Sequence, residues 1–438
     1  MNIILLSGGS GKRLWPLSNG IRSKQFLKLF QDDEGQFESM VQRVHRQLTK
    51  VAPEVRLTIA TGRQQKSAIL NQIGNKAGVC VEPSRRDTFP AIALASVYAY
   101  SELHVSPDDI VIVCPVDPYV QDAYYTALLE LEKAAEEGGA AITLIGVRPT
   151  YPSEKYGYII PEEGNATVRR VLAFKEKPSE TTAVEYLKQG ALWNCGVFAF
   201  RLGYMLELLK QYISFDGYAD VYSQYDKLPQ ISFDYAVVEK ESNIACIQYD
   251  GEWKDIGTWN TLVEEMDTPT IGHAIVSEGC ENVNIINELD IPLVTVGLRD
   301  VIVAASADGI LVSDKLMSST IKPLVDKIEQ RTMFEEKSWG KYLVLYENVN
   351  SLTLKLVVKA GKGLSYHSHE DRNEHWMVVA GSGTAVVDGE EIVLSVGSGV
   401  FLPKGKPHRL TAQTDMELIE IQYGTKIDDK DKHAHEGR

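Results

Sequence analysis

The sequence predicts an α/β domain on a mainly parallel sheet, then a short β arm and a C-terminal all-β barrel. Three observations carry this. Over residues 1–145 short apolar runs alternate with amphipathic helical stretches. From about 266 the helical pattern nearly vanishes. From about 333 strand-like runs follow one another closely, several separated by glycine turns. The expected domains are 1–265, 266–332 and 333–424, with a mobile tail over 425–438.

In the first domain strands are expected at 2–6, 56–61, 109–114 and 141–146, and helices near 36–50, 62–73, 88–102 and 123–138. Ligands of such sheets bind at the carboxyl ends of the strands. The first strand runs straight into Ser7-Gly8-Gly9-Ser10-Gly11-Lys12-Arg13-Leu14. Glycines let backbone N–H groups approach an anion, and the two cations neutralise it. A tight turn with surface charge is the other reading. A Walker loop would need Ser or Thr after Gly11-Lys12, where Arg13 stands, and a dinucleotide loop would need a third glycine.

Composition narrows the class. With 45 basic against 60 acidic residues the net charge is −15, which argues against nucleic acid or an anionic membrane as partner. No apolar run reaches the roughly 18 residues of a spanning helix. The five cysteines are scattered, as expected of reduced thiols in a cytoplasmic protein.

Further along, Glu82-Pro83-Ser84-Arg85-Arg86-Asp87-Thr88 follows a short strand and opens a helix, with Asp87 or Thr88 as its cap. Cys114-Pro115-Val116-Asp117 ends a buried strand. Residues 146–265 are more irregular. Leu293-Val294-Thr295-Val296 and Val301-Ile302-Val303 read as arm strands, with a helical stretch near 319–330. In the barrel, strands are read at 342–345, 352–358, 376–379 and 418–421. Four of the nine histidines fall between 367 and 408, and His367 and His369 alternate on one strand face.

Gly8 to Ser18, with Lys24-Gln25-Phe26-Leu27, resembles the signature of nucleotide-sugar pyrophosphorylases, and Trp15-Pro16-Leu17-Ser18 resembles the mannose-1-phosphate guanylyltransferase branch. Ser23 stands where that family usually has proline, which loosens a turn. The resemblance implies a Rossmann-like mixed sheet of the GT-A-like nucleotidyltransferase kind, acting on GTP and mannose 1-phosphate. It implies Arg13, Lys12 and Lys24 as catalytic cations, with nucleotide bound by Ser7, Gly8, Gly9 and Gly11 and by Glu82, Arg86 and Thr88. Asp87 and Phe89 replace Asn and Ala of that segment. Mg²⁺ would sit on Asp117 and on Asp255 of Trp253-Lys254-Asp255-Ile256-Gly257-Thr258. The sugar phosphate would meet Gly157, Glu176 and Lys177 of Phe174-Lys175-Glu176-Lys177-Pro178, Asn194 and Asp234.

The spacing Gly361-x₅-His367-x-His369-x₄-Glu374-x₆-Gly381, then Gly397-x₅-Pro403-x-Gly405-x₂-His408, matches both cupin motifs. A cupin metal on His367, His369, Glu374 and His408 follows, a divalent transition ion with Zn²⁺ placed first. Arg372-Asn373-Glu374-His375-Trp376 resembles the type II phosphomannose isomerase domain, although Gly424-Thr425-Lys426-Ile427-Asp428-Asp429 matches its closing segment poorly. An isomerase of fructose 6-phosphate and mannose 6-phosphate would use a base near Glu374 or His375, with Lys404, Lys406 and Arg409 meeting the phosphate. The competing readings are a structural or regulatory barrel and a non-catalytic nucleotide-sugar sensor. Homo-oligomerisation is left open by the sequence.

Overall fold

The computed structural model describes residues 1–9, 11–428 and 430–435. It divides into two compact units, residues 1–11 with 23–267, and residues 12–22 with 268 onward. The placing of 12–22 with the second unit does not follow from the sequence.

The first unit is built on a nine-stranded mixed sheet. Its strands are β1 (Asn2–Ser7), β2 (Arg56–Gly62), β3 (Gly78–Glu82), β4 (Ile110–Pro115), β5 (Ile142–Val147), β6 (Tyr158–Pro161), β7 (Val168–Lys175), β8 (Leu192–Arg201) and β9 (Ile244–Tyr249). They lie in the order β3-β2-β1-β4-β8-β5-β9-β7-β6. β1 to β4 are mutually parallel, whereas β8 runs antiparallel to both neighbours, β4 and β5. The central strands are buried on both faces, as their near-continuous apolar runs require.

Helices α1 (Met40–Val51), α2 (Lys66–Ile73), α3 (Thr88–Ser101) and α4 (Asp122–Glu137) fall where the periodicity places them. α1 starts at a capping box of Ser39 and Gln42. α3 is apolar nearly all round and lies in the core. Asp87 is its cap, accepting from the Thr88 N–H at 2.7 Å.

In the second unit, short parallel strands at Thr270–Gly272, Asn284–Asn287 and Val301–Ser306 form successive rungs, closed by antiparallel Gly309–Asp314. Segment 12–22 docks on this arm. Ser306 Oγ donates to the Pro16 carbonyl at 2.7 Å, Asn19 Nδ2 donates to Asp308 Oδ2 at 2.6 Å, and Arg22 grips Glu288 with both amino groups at 2.7 and 2.8 Å. The stretch near 319–330 holds only a turn at Met317–Thr320 and the short helix Lys322–Val325.

The barrel joins two antiparallel sheets. Its strands are β10 (Phe334–Lys337), β11 (Gly340–Glu347), β12 (Ser351–Val358), β13 (Gly363–Ser368), β14 (Arg372–Ala380), β15 (Gly383–Val387), β16 (Glu390–Leu394), β17 (Gly399–Leu402), β18 (His408–Ala412), β19 (Met416–Gly424) and β20 (His433–Ala434). β12 alternates regularly, burying Leu352, Leu354, Leu356 and Val358. β20 pairs with β13, and Asp431 Oδ1 accepts from the Glu370 N–H at 2.8 Å. Where the sequence suggests a free tail, the described residues past 424 are therefore tied down; Asp429 and 436–438 lie outside the described residues. No helix among the described residues is long and apolar enough to cross a membrane.

Candidate functional site

The glycine loop leaves the end of β1. Gly9 and Gly11 take φ of +129° and +62°, conformations that a side chain would resist. The loop is anchored from below. Ser23 Oγ donates to the Gly9 carbonyl at 2.9 Å, Gln65 Nε2 donates to the same carbonyl at 3.3 Å, and Gln25 Nε2 donates to the Ser7 carbonyl at 3.2 Å. Ser23 thus pins the loop, where its replacement of proline is expected from sequence to loosen a turn. Gln25 and Gln65 have no role assigned by the sequence; buried glutamines beside a glycine loop are the signal that identifies them. Ser10 lies outside the described residues.

Asp117 and Asp255 come together because Pro118–Val120 and Trp253–Asp255 pair as an antiparallel ribbon, with Asp255 opposite Pro118. Lys24 Nζ lies 3.1 Å from Asp117 Oδ2 and 3.6 Å from Asp255 Oδ1. Burial acts against its charge, but the two carboxylates outweigh it and raise the Lys24 pKa. Two half-exposed carboxylates opening on an anion loop form a hard oxygen donor pair that fits Mg²⁺.

Lys12 and Arg13 belong to the second unit. There Lys12 Nζ pairs with Asp326 Oδ1 at 2.8 Å, and Arg13 is exposed with no ion pair among the described residues.

The residues expected to bind the sugar phosphate converge. Asn194 Nδ2 donates to Asp234 Oδ1 at 2.6 Å, and Lys177 pairs with Glu176 Oε1. A Cβ on Gly157 would lie 2.5 Å from Glu176 Oε2 and 3.2 Å from Asn194 Cβ, so only glycine leaves this hollow open. Glu176 Oε2 is buried without a hydrogen-bond partner, an acceptor aimed at a hydroxyl. Burial, then the Glu176 charge, pushes the Asp234 pKa up to about 7.

Glu82, Arg86 and Thr88 are engaged within the protein. Tyr225 Oη donates to Glu82 Oε2 at 2.7 Å, Arg86 Nη2 to the Leu228 carbonyl at 2.8 Å, and the Phe233 N–H to Thr88 Oγ1 at 2.8 Å. These contacts fix the segment before α3 against 225–233.

In the barrel, His367, His369 and His408 bring donor nitrogens within 4.8 Å of one another, all buried. Each Nδ1 faces a backbone carbonyl: Ser365 at 2.6 Å for His367, Asp431 for His369, and Lys406 at 3.0 Å for His408. That arrangement turns each Nε2 inward, the tautomer a metal takes; Arg372 Nη2 lies 3.2 Å from His369 Nε2 and would yield it to a metal. His408 Nε2 has no hydrogen-bond partner. Glu374 lies 3.1 Å from His369 Nε2 and 3.4 Å from His408 Nε2, and accepts from Arg372 Nε at 2.9 Å. The set fits a divalent metal.

A cavity of about 290 Å³ opens beside this cluster, lined also by Arg331, Glu335, Lys337, Glu420, Gln422 and Lys432. Two expectations fail here. His375 faces outward, stacked on Phe401 at 4.8 Å, because neighbours of inward Glu374 must point away. Lys404, Lys406 and Arg409 do not line the cavity; Lys406 pairs with Asp388 and Arg409 lies over Tyr366.

Comparison with known proteins agrees with this geometry. Residues 2–270 match the nucleotidyl transferase family, and 326–436 match the mannose-6-phosphate isomerase C-terminal family. Mannose-1-phosphate guanylyltransferase ManC of Salmonella typhimurium is 30% identical, covering 99% of this chain and 97% of that protein. Xanthan biosynthesis protein XanB of Xanthomonas campestris is 31% identical, covering 98% and 96%. A crystal structure from Thermus thermophilus, described as a mannose-1-phosphate geranyltransferase, is 30% identical with a TM-score of 0.60, covering 74% of this chain and 98% of that one. The chain belongs to the nucleotidyl transferase family, among the mannose-1-phosphate guanylyltransferases that carry a C-terminal mannose-6-phosphate isomerase domain.

Proposed function

We propose that the first unit transfers GMP from GTP to mannose 1-phosphate, giving GDP-mannose and pyrophosphate. The observation that carries this is Lys24 held between Asp117 and Asp255 beside the glycine loop. A phosphate oxygen of the sugar attacks the α-phosphorus in line, and the bond to pyrophosphate breaks. The loop N–H groups and Lys24 take up developing charge. Mg²⁺ on Asp117 and Asp255 would neutralise the triphosphate. Gly157 leaves room for the sugar ring, Glu176 and Asn194 meet its hydroxyls, and Lys177 its phosphate. The test is substrate choice. Each common nucleoside triphosphate is offered with mannose 1-phosphate and with glucose 1-phosphate; preference for any pair but GTP and mannose 1-phosphate overturns the assignment.

A second activity is favoured by the three inward Nε2 atoms of the barrel. We infer that the barrel interconverts fructose 6-phosphate and mannose 6-phosphate. His367, His369, Glu374 and His408 would hold a divalent ion such as Zn²⁺, which supplies polarisation of the sugar carbonyl. The full-length protein is assayed with fructose 6-phosphate, with and without added metal. Absence of metal-dependent turnover leaves the barrel a structural or regulatory domain.

A further inference from the structure

An isomerase needs a group that moves a proton between neighbouring carbons. The two residues that the sequence suggests for it do not serve. His375 is outside the barrel, and Glu374 is committed to His369, His408 and Arg372. Two other carboxylates line the cavity. Glu335 is already neutralised by Lys337 and accepts from Tyr342 Oη at 2.9 Å. Glu420 is not.

Glu420 sits on the inward face of β19, between Leu418 and Gln422, where alternation would place a core hydrophobe. It is 5% exposed and makes no ion pair among the described residues. Trp376 Nε1 donates to its Oε2 at 2.8 Å and Gln422 Nε2 to its Oε1 at 2.6 Å. Two neutral donors orient the carboxyl group and leave a lone pair on each oxygen. Lys432 of the same cavity and Arg372 act on its charge without forming an ion pair with it among the described residues; burying such a carboxylate is costly. Burial pushes its pKa up to about 7; the Glu374 charge adds to this, against the Gln422 and Trp376 donors and Arg372. A carboxyl group oriented by two neutral donors in the cavity can both take and return a proton.

We propose that Glu420 is the catalytic residue that carries the proton in an aldose–ketose isomerisation of a sugar phosphate within the barrel, a role that rests on the isomerase reading. In the aldose-to-ketose direction Glu420 takes the hydrogen from C2. The C2–H electron pair becomes the C1–C2 double bond, and the C1 carbonyl pair moves onto O1. The enediol then forms the C2 carbonyl, and C1 takes the hydrogen from Glu420. The hydroxyl proton of O2 ends on O1, so no oxidant or reductant is consumed.

The test compares full-length wild type, Glu420→Gln and Glu420→Asp, each loaded with Zn²⁺, on fructose 6-phosphate, with bound metal measured on the same samples. Glu420→Gln is expected to lose about 100-fold or more in kcat, with KM and metal content unchanged. Glu420→Asp, which keeps the carboxylate, should recover at least tenfold over Glu420→Gln. A Glu420→Gln enzyme within threefold of wild type overturns the role, as does equal loss in both variants or loss of metal in Glu420→Gln. A wild type inactive with every divalent metal overturns the isomerase reading and this role together; an active wild type with an active Glu420→Gln removes only Glu420.

Discussion

Lys24 Nζ lies 3.1 Å from Asp117 Oδ2. On the proposed nucleotidyl transfer, the ammonium contributes in the transition state. Lys24→Met should lower kcat by about 100-fold or more with GTP affinity reduced less. Steady-state kinetics with equilibrium GTP binding measures both; a kcat within threefold of wild type would remove Lys24 from the catalytic set.

Gly157 keeps the hollow beside Glu176 and Asn194 open by lacking a side chain. Its missing Cβ would fall 2.5 Å from Glu176 Oε2. Gly157→Ala should raise KM for mannose 1-phosphate at least tenfold and cost about 1–3 kcal/mol of stability. An unchanged KM would mean that the sugar binds elsewhere.

Asp234 gives a pH dependence with a definite sign. Its native pKa of about 7 lies above the ordinary carboxylate value, so the native state binds the extra proton. Stability from this group is full below about pH 4 and is lost as pH rises to about 7, on the order of 4 kcal/mol at most. The melting temperature of Asp234→Asn relative to wild type should therefore rise between pH 5 and pH 8. Parallel melting profiles would contradict it.

The C-terminal residues pack against the histidine cluster. The Asp431 carbonyl faces His369 Nδ1, and Arg372 Nη1 donates to the Asp428 carbonyl at 3.0 Å. A chain ending at Gly424 should bind Zn²⁺ about 10–100-fold more weakly. Titration of both forms with the metal is the check, and equal affinity would make the segment dispensable.

Much of this is legible in the sequence, for identifiable reasons. The β1–α4 alternation and the motif spacing of His367, His369 and His408 are read from periodicity and spacing, which act locally, whereas Asp117 with Asp255 is read only from the family resemblance. What the sequence hides depends on tertiary packing. Segment 12–22 joins the second unit through Asp308 and Glu288, 289 and 266 residues from their partners in sequence. Ser23 acquires its role only once Gly9 folds over it. His375 draws attention as a base, but the two-residue strand period turns it away beside inward Glu374. Glu420 and Gln422 share that same period as polar residues on a core face, a signal present in the strand but without meaning until the cavity closes around it.

The most direct measurement is Mg²⁺-dependent pyrophosphate release by the full-length protein given GTP and mannose 1-phosphate. One pyrophosphate per GDP-mannose, requiring both substrates, and abolished in Asp117→Asn and Asp255→Asn, is the expected result. Release from GTP without the sugar phosphate, or undiminished release by both variants, would contradict it.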